Sequence, residues 1–413
     1  MNTPEIQDIA PKRRRTWAQR FVLVFNSSVA AACLIAAVVI YYGSEKANDR
    51  KVVSIIGGAT ALTLPQAPIA GPQGDVVDLT AKNFLITGSD NGACVDPDSP
   101  YAGAFGDRTG FGERADTIMV LRLDPTTKAA AVLSFPRDLW VRLGGKTTKG
   151  RINSAFNRDD PNRLIVTIFD NFGIKIDHYV NIDFCAFKQI VDAVGGVKVP
   201  FNTPIKDENT GLLIETAGCH NFGGEEGLAY VRSRKLRYFD ETKKAWVTDG
   251  NADRGRISRQ QDFLRRAIQK AIDRGSGSPR IAKQLIDAGI EHVILDSELT
   301  AGKILELALA MKDLDPATMR TYQVEGEGAN VGGQSVILPT LDSEVMAAIL
   351  AVFRGEAFLS SAPVEPTTIP AAAPSTTPGA TPATEAPSAD STNDELVESN
   401  SVGILPADDP SCR

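Results

Sequence analysis

An uncharged apolar run, FVLVFNSSVAAACLIAAVVIYY from Phe21 to Tyr42, follows a basic cluster of Lys12, Arg13, Arg14, Arg15 and Arg20. At about 22 residues it is long enough to cross a hydrocarbon core of roughly 30 Å as one helix. The cationic flank predicts a cytoplasmic N-terminus and an extracytoplasmic remainder. Tyr41 and Tyr42 suit the interfacial aromatic belt. A cleaved signal peptide fits less well, since its apolar core usually runs about 7–15 residues. The lipidation-like Ala30-Ala31-Ala32-Cys33 is followed by apolar sequence that such a signal does not need. The expectation is a single-pass protein of the cell membrane, with residues 1–20 in the cytoplasm and 21–42 in the bilayer.

This topology decides how the five cysteines are read. Cys33 lies in the expected span, while Cys94, Cys185, Cys219 and Cys412 face an oxidising compartment. One disulfide among Cys94, Cys185 and Cys219 is expected there, its pairing open, with Cys412 a bystander in the tail. Cys219-His220 has no second ligand pair at zinc-binding spacing.

Residues 43–80 mix small, Pro and polar residues and read as a stalk. From 81 to 355 short apolar runs alternate with helical patterns, the mark of one α/β domain with a mixed sheet flanked by helices. The expected strands are Asn83–Thr87, Thr117–Leu123, Ala129–Ser134, Tyr179–Ile182 and Val197–Val199, the second and third joined by the turn DPTTK. The expected helices are Asn162–Asn171, Phe184–Val194, Glu225–Arg232, Asp253–Ile272, Ala301–Met311 and Asp342–Val352. In the fourth, Ile257, Leu264, Ile268 and Ala271 share an apolar stripe, and Arg256, Arg259 and Gln260 share a neighbouring face. Residues 356–413 are rich in Pro, Thr, Ala and acids and read as a disordered tail.

Arginine recurs among these elements beside acids: ERADT at Glu113–Thr117, SFPRD at Ser134–Asp138, YVRSR at Tyr230–Arg234 and DRGRISRQQ at Asp253–Gln261. A planar guanidinium grips phosphate through two parallel hydrogen bonds, and Asp beside phosphate suits Mg²⁺. The pattern points to a diphosphate pocket. The net charge of −7 owes much to the acidic tail and argues against a general nucleic-acid binder.

The stretches NFLITGSD, RADTIMVLRLDP, AAAVLSFPRDLWV, GRINSAF, IDHYVNIDFCAFKQIVDAVGGVKV, GLAYVRSRK and DRGRISRQQDFLRRA, in that order, resemble the LytR-CpsA-Psr family of cell-envelope proteins. The Cys-containing block and YVRSRKLRYFD look like its actinobacterial branch. The resemblance implies an α/β/α domain that holds a polyprenyl-pyrophosphate lipid, its tail in an apolar tunnel and Mg²⁺ (or Mn²⁺) on its head group. It implies transfer of a glycan phosphate from that carrier onto peptidoglycan, with release of polyprenyl phosphate.

On this resemblance Asp90 and Asp116 hold the metal, one of them open to a second role as base. Arg114, Arg137, Arg232, Arg234, Arg256, Arg259 and Gln260 hold the pyrophosphate, with Arg137 and Arg256 also counted as catalytic. Each has a plainer reading: a strand-end Asp often caps a turn, and an Arg often forms a surface ion pair or complements a helix dipole. Asn153 stands even between orienting and structural roles, and Arg237 is open. Arg254, Arg265 and Arg266 are expected to be solvated or membrane-facing, and Val191, Val194 and Val197 to be core.

GGKTTK at Gly144–Lys149 lacks the first Gly of a phosphate loop, since Trp140 stands there. None of the three histidines has a Ser or Cys partner in a hydrolase motif. Three rival functions remain. Water as acceptor makes a lipid pyrophosphatase, and loss of turnover makes a lipid-glycan binding module. A transcriptional regulator is disfavoured because the outer domain has no access to DNA and the basic tail is too short for a helix-turn-helix.

Overall fold

The computed structural model describes residues 52–55, 69–70, 76–77, 80–90, 94, 96–105, 115–275, 293–311 and 313–359, and positions 401–403, 405, 406, 409, 411 and 412. The expected cytoplasmic tail and membrane span lie outside these residues, as do Arg114 and Cys33. Among the described residues no helix is long and apolar enough to cross a membrane.

Seven strands form the central sheet: β1 (Val52–Val53), β2 (Lys82–Ser89), β3 (Ala115–Asp124), β4 (Ala129–Ser134), β5 (His178–Ile182), β6 (Val293–Asp296) and β7 (Arg320–Gln323). Their order is β1-β6-β5-β2-β3-β4-β7. Three pairs are parallel (β1 with β6, β2 with β5, β4 with β7) and three antiparallel (β6 with β5, β2 with β3, β3 with β4), so the sheet is mixed, as expected. The helices used below are α1 (Asn162–Phe172), α2 (Phe184–Ala193), α3 (Gly224–Arg232), α4 (Ala252–Gly275) and α5 (Glu344–Arg354).

Alternation along the strands makes two faces. Ile118, Val120, Ala131 and Leu133 join Phe172 of α1 and Ile349 and Phe353 of α5 in one core cluster. Met119, Ala130 and Val132 look the other way, toward Leu264 and Ile268 of α4. A further cluster gathers α2, α3 and the ribbon Val197–Phe201/Gly218–Phe222 around Phe263 of α4. α4 therefore buries two faces: the expected stripe at Leu264 and Ile268, and Phe263, Ala267 and Ala271 against the second cluster. Its central position explains how a helix so rich in charge folds. Gly224 begins α3 where a Cβ would come within 2.5 Å of the Lys188 carbonyl, so only glycine lets α3 settle on α2.

The turn between β3 and β4 forms as its sequence suggests. The Asp124 carboxylate accepts the backbone N–H groups of Thr126 and Thr127, and Lys128 takes the left-handed conformation at φ 56°. GGKTTK is the tip of a small hairpin between Trp140–Arg142 and Lys149–Arg151.

Three expectations need correction. Val52 and Val53, assigned to a stalk, form an edge strand, because the parallel register with Leu295 and Asp296 satisfies their backbone. Cys94 pairs with Cys185, one of the open pairings, but Cys412 is no bystander: it forms a disulfide with Cys219 and is 1 % exposed. The end of the expected tail therefore packs on the domain. Arg265 and Arg266 are not solvated; both pair with Asp262 at 2.8 Å.

Asn83 ties the start of β2 to the opposite layer. Its side-chain amide donates to the carbonyls of Lys175 and Phe353, both at 2.8 Å, and its Oδ1 accepts from Arg122. Asn83→Leu leaves these groups without their partner inside the protein. It should lower the unfolding free energy by about 3 kcal/mol or more in a urea titration, at roughly one kcal/mol at least for each of the three orphaned groups.

Candidate active site

The register of β2 against β3 slips at its end: Gly88 faces Thr117, while Ser89 faces Ala115. Asp116 is the extra residue of a β-bulge, the device by which a strand re-aims one side chain. Gly88 permits the close approach, since a Cβ there would lie 3.0 Å from Thr117 Cβ. Asp90 follows the end of the adjacent strand, and both carboxylates are 6 % exposed.

Four arginines from distant parts of the chain converge on Asp116. Arg137 Nη1 donates to Oδ1 at 2.8 Å, Arg232 Nη2 donates to Oδ2 at 3.1 Å, and Arg234 Nη2 lies 3.5 Å from Oδ1. Arg256 Nη2 donates to the Asp116 carbonyl at 3.0 Å. Asp253 bridges the group, 3.0 Å from Arg234 and 3.1 Å from Arg256. Arg232 lies 4.4 Å above the ring of Phe184, and its Nη1 also donates to the Ala104 carbonyl. The Asn153 N–H donates to the Arg137 carbonyl at 3.3 Å, so GRINSAF steadies an arginine through its backbone.

These contacts set the charges. Burial alone would raise the Asp116 carboxyl. Arg256, Arg234 and Arg232, with the hydrogen bond from Arg137, hold it well below the usual carboxylate range instead. Burial pulls the Arg256 guanidinium down to about 10, with Asp253 opposing, so it stays positive at neutral pH. Four guanidiniums thus share Asp116 and Asp253, and Arg137 also lies 3.5 Å from Asp138. The Nε–H of Arg256 finds no acceptor among the described residues, which leaves a buried donor for an anionic oxygen.

Behind the charged group opens a cavity of about 180 Å³. Asp116, Arg232, Arg256 and Gln260 form its polar end, and Phe184, Phe187, Ile190, Leu228 and Phe263 line the rest. Val191 also lines it, whereas Val194 and Val197 are core. Sequence reasoning did not single out Phe184, Phe187 or Asp183, all of which line the cavity. The aromatic pair at helical spacing looked like ordinary core, and Asp183 caps α2 by accepting the Ala186 N–H.

Two arginines lie elsewhere. Arg259, expected on the pyrophosphate, is fully buried behind the site, where it donates to Asp249 Oδ2 at 3.0 Å and to the Ser233 carbonyl at 2.5 Å. One residue further on, Gln260 reaches the cavity and donates to the Val231 carbonyl. The 100° step of a helix separates the two. Arg237 sits on the hairpin Arg237–Asp240/Ala245–Thr248, beside Glu208 and the Trp246 carbonyl.

Among the described residues no group of three His, Cys, Asp or Glu forms a ready cation site. Mg²⁺ does not need one, since it takes one or two carboxylates plus phosphate oxygens. Asp116 suits it by being held ionised, and Asp90 stands at the same end of the sheet. Both Asp116 oxygens face guanidiniums, so the fit holds for a site in which phosphate draws the arginines away.

Asp116→Asn removes the charge that the arginines share. It should destabilise the fold by about 3–5 kcal/mol, the usual cost of stranding buried charges. Because the folded carboxyl titrates below its ordinary value, the wild-type advantage is fully present above the unfolded pKa. It should therefore be constant from pH 7 to about 5 and shrink as the pH falls below about 4. Inorganic diphosphate should raise the Tm of the variant more than that of wild type.

Comparison with known proteins accords with this geometry. The model of the LytR_cpsA_psr family matches residues 66–350. The polyisoprenyl-teichoic acid–peptidoglycan teichoic acid transferase TagV of Bacillus subtilis is 32% identical over 53% of this chain and 57% of its own length. The probable cell wall biosynthesis protein LcpB of Corynebacterium glutamicum is 34% identical over 50% of this chain and 46% of its own. The chain thus spans about half of each of these relatives. The solved structure of a LytR-Csp2A-Psr enzyme from Actinomyces oris aligns with a TM-score of 0.53 at 21% identity, over 74% of this chain and 96% of that one, and so shares the fold. With its motifs in order, its arginines gathered on one aspartate and the family pattern matched from residue 66 to 350, the chain belongs to the LytR_cpsA_psr family.

Proposed function

We propose that the protein transfers a glycan phosphate from a polyprenyl-diphosphate carrier onto a hydroxyl of peptidoglycan. The observation that carries this reading is the joining of a cationic mouth to an apolar cavity. A diphosphate suits Arg137, Arg232, Arg234 and Arg256, while an isoprenoid chain suits Phe184, Phe187 and Phe263. TagV is named for a polyisoprenyl-linked donor and a peptidoglycan acceptor, which agrees with that pairing.

In the proposed reaction the acceptor oxygen attacks the phosphorus on the glycan side. A new O–P bond forms, the bridging P–O bond breaks, and polyprenyl phosphate leaves with the bridging oxygen. Charge on the equatorial and leaving oxygens falls to the arginines, which the fold gathers at the mouth of the cavity and which would turn from Asp116 to the phosphate oxygens. Asp90 and Asp116 would hold a divalent cation, which would neutralise part of that charge. Asp116 is too weak a base to take the hydroxyl proton. We assign that task to Asp90, which follows the end of the adjacent strand β2 at the same end of the sheet. The extracytoplasmic location expected from the sequence is supported by the two disulfides, which persist in oxidising compartments.

The test combines the purified outer domain, Mg²⁺, a polyprenyl-diphosphate-linked sugar and a peptidoglycan oligomer, and follows the phosphate products. Joined glycan phosphate with free polyprenyl phosphate is the expected outcome, and EDTA should abolish it. Polyprenyl phosphate without a joined product would instead make water the acceptor. Arg256→Ala should lower kcat by about 10²–10³, the scale for one preorganised donor to a developing oxyanion.

Phe187→Arg addresses the cavity separately. It should raise the KM for long-chain donors while leaving that for a farnesyl donor within about twofold, because about 0.8 kcal/mol is at stake for each buried methylene.

A further inference from the structure

The segment from Ser401 to Gly403 lies against the helix turn that carries Arg256. The Val402 N–H donates to Ser258 Oγ at 2.9 Å, and Ser401 and Thr321 share a hydroxyl hydrogen bond of 2.9 Å. Ser258 is 1 % exposed; its Oγ also accepts from Gln323 Nε2 at 2.7 Å and donates to the Arg254 carbonyl. Gly403, at φ 93°, meets Gly255 back to back: a Cβ on Gly403 would lie 2.9 Å from Gly255 Cα and 3.0 Å from Asp249 Oδ2. That carboxylate oxygen is the partner of Arg259. The Cys219–Cys412 disulfide tethers the segment at its far end.

What it presses on is strained. α4 is entered through Ala252 at φ 40°, a left-handed conformation costly for a residue with a Cβ. Such conformations persist where the surroundings over-determine them. One turn later Arg256 reaches the Asp116 carbonyl, so the setting of this turn fixes where its guanidinium points.

We propose that Ser401–Gly403 is a positioning element for the active site, a strap that clamps the strained first turn of α4 and holds Arg256 against Asp116. Its significance for substrate rests on the diphosphate reading above; the clamp itself does not. Ser258 and Val402 act through Arg256 and touch no substrate. The strap contributes no residue to the cationic mouth, and its covalent anchor, Cys219, lies on the ribbon strand Gly218–Phe222 rather than in the site.

The variant Val402→Pro lacks the N–H that reaches Ser258, while Val402→Ala keeps it. Gly403→Ala attacks the same contact from the other side, and guards against one variant that fails to fold. Amide hydrogen exchange of residues 252–259 and affinity for farnesyl diphosphate are measured on the disulfide-intact outer domain, with Tm as the control for global folding. Val402→Pro and Gly403→Ala should speed exchange in that turn and weaken diphosphate binding by about three- to tenfold, the worth of one hydrogen bond. Val402→Ala should restore both. Unchanged exchange at 252–259 in both variants, or faster exchange with unchanged affinity, overturns the proposal. If wild type itself binds no diphosphate, the functional reading fails, and the exchange data alone decide whether the strap clamps the turn.

Discussion

The organising interaction is the gathering of four guanidiniums around one bulged aspartate. Arg137, Arg232, Arg234 and Arg256 repel one another, and Asp116 with Asp253 makes their proximity tolerable. Much of the fold serves this arrangement. The slip between Gly88 and Ser89 turns Asp116 toward the cavity, Gly224 lets the helix ending in Arg232 come close, and α4 lies between two apolar clusters so that Arg256 emerges at their junction. Without ligand the cluster is held in electrostatic compromise. In the proposed reaction an anion with several oxygens would relieve it, as a preorganised phosphoryl-transfer site requires.

The cavity follows from the same architecture. The cluster around Phe263 packs α2 and α3 against one side of α4, and Met119, Ala130 and Val132 pack the sheet against the other. Between them the side chains of Phe184, Phe187 and Phe263 leave space unfilled. A core that was only a core would close over such a volume, because interiors pack densely and voids are destabilising. An apolar volume that opens beside a cationic mouth is better understood as a place kept for an apolar ligand.

The sequence carried the helices and four of the seven central strands, since period-2 and helical patterns reflect burial, but Val293–Asp296 and Arg320–Gln323 were not among the expected strands. Ala129–Ser134 was read at its true bounds, and other elements within a few residues. Asp116, Arg232 and Arg256 were legible as site residues through their motifs, but their convergence was not, because a bulge leaves no mark in the residues themselves. Arg259 illustrates the limit. The helical face it shares with Arg256 suggested a common ligand, yet Asp249, ten positions earlier, takes it out of the site. The edge strand at Val52 and the mate of Cys219 were hidden for a simpler reason. Both depend on partners far along the chain, which local composition does not reveal.

The order of the disulfides has a consequence for how the molecule is made. After Cys33 the cysteines appear as Cys94, Cys185, Cys219 and Cys412, and they join first to second and third to fourth. In a chain that emerges N-terminus first, each odd thiol meets its proper mate as the next cysteine to arrive. Oxidation in simple order of appearance therefore gives the native pairing, with no need for an isomerase to reshuffle it. The second bond waits longer, over a separation of 193 residues against 91 for the first, so the strap can be fastened only after residues 401–403 have themselves been made.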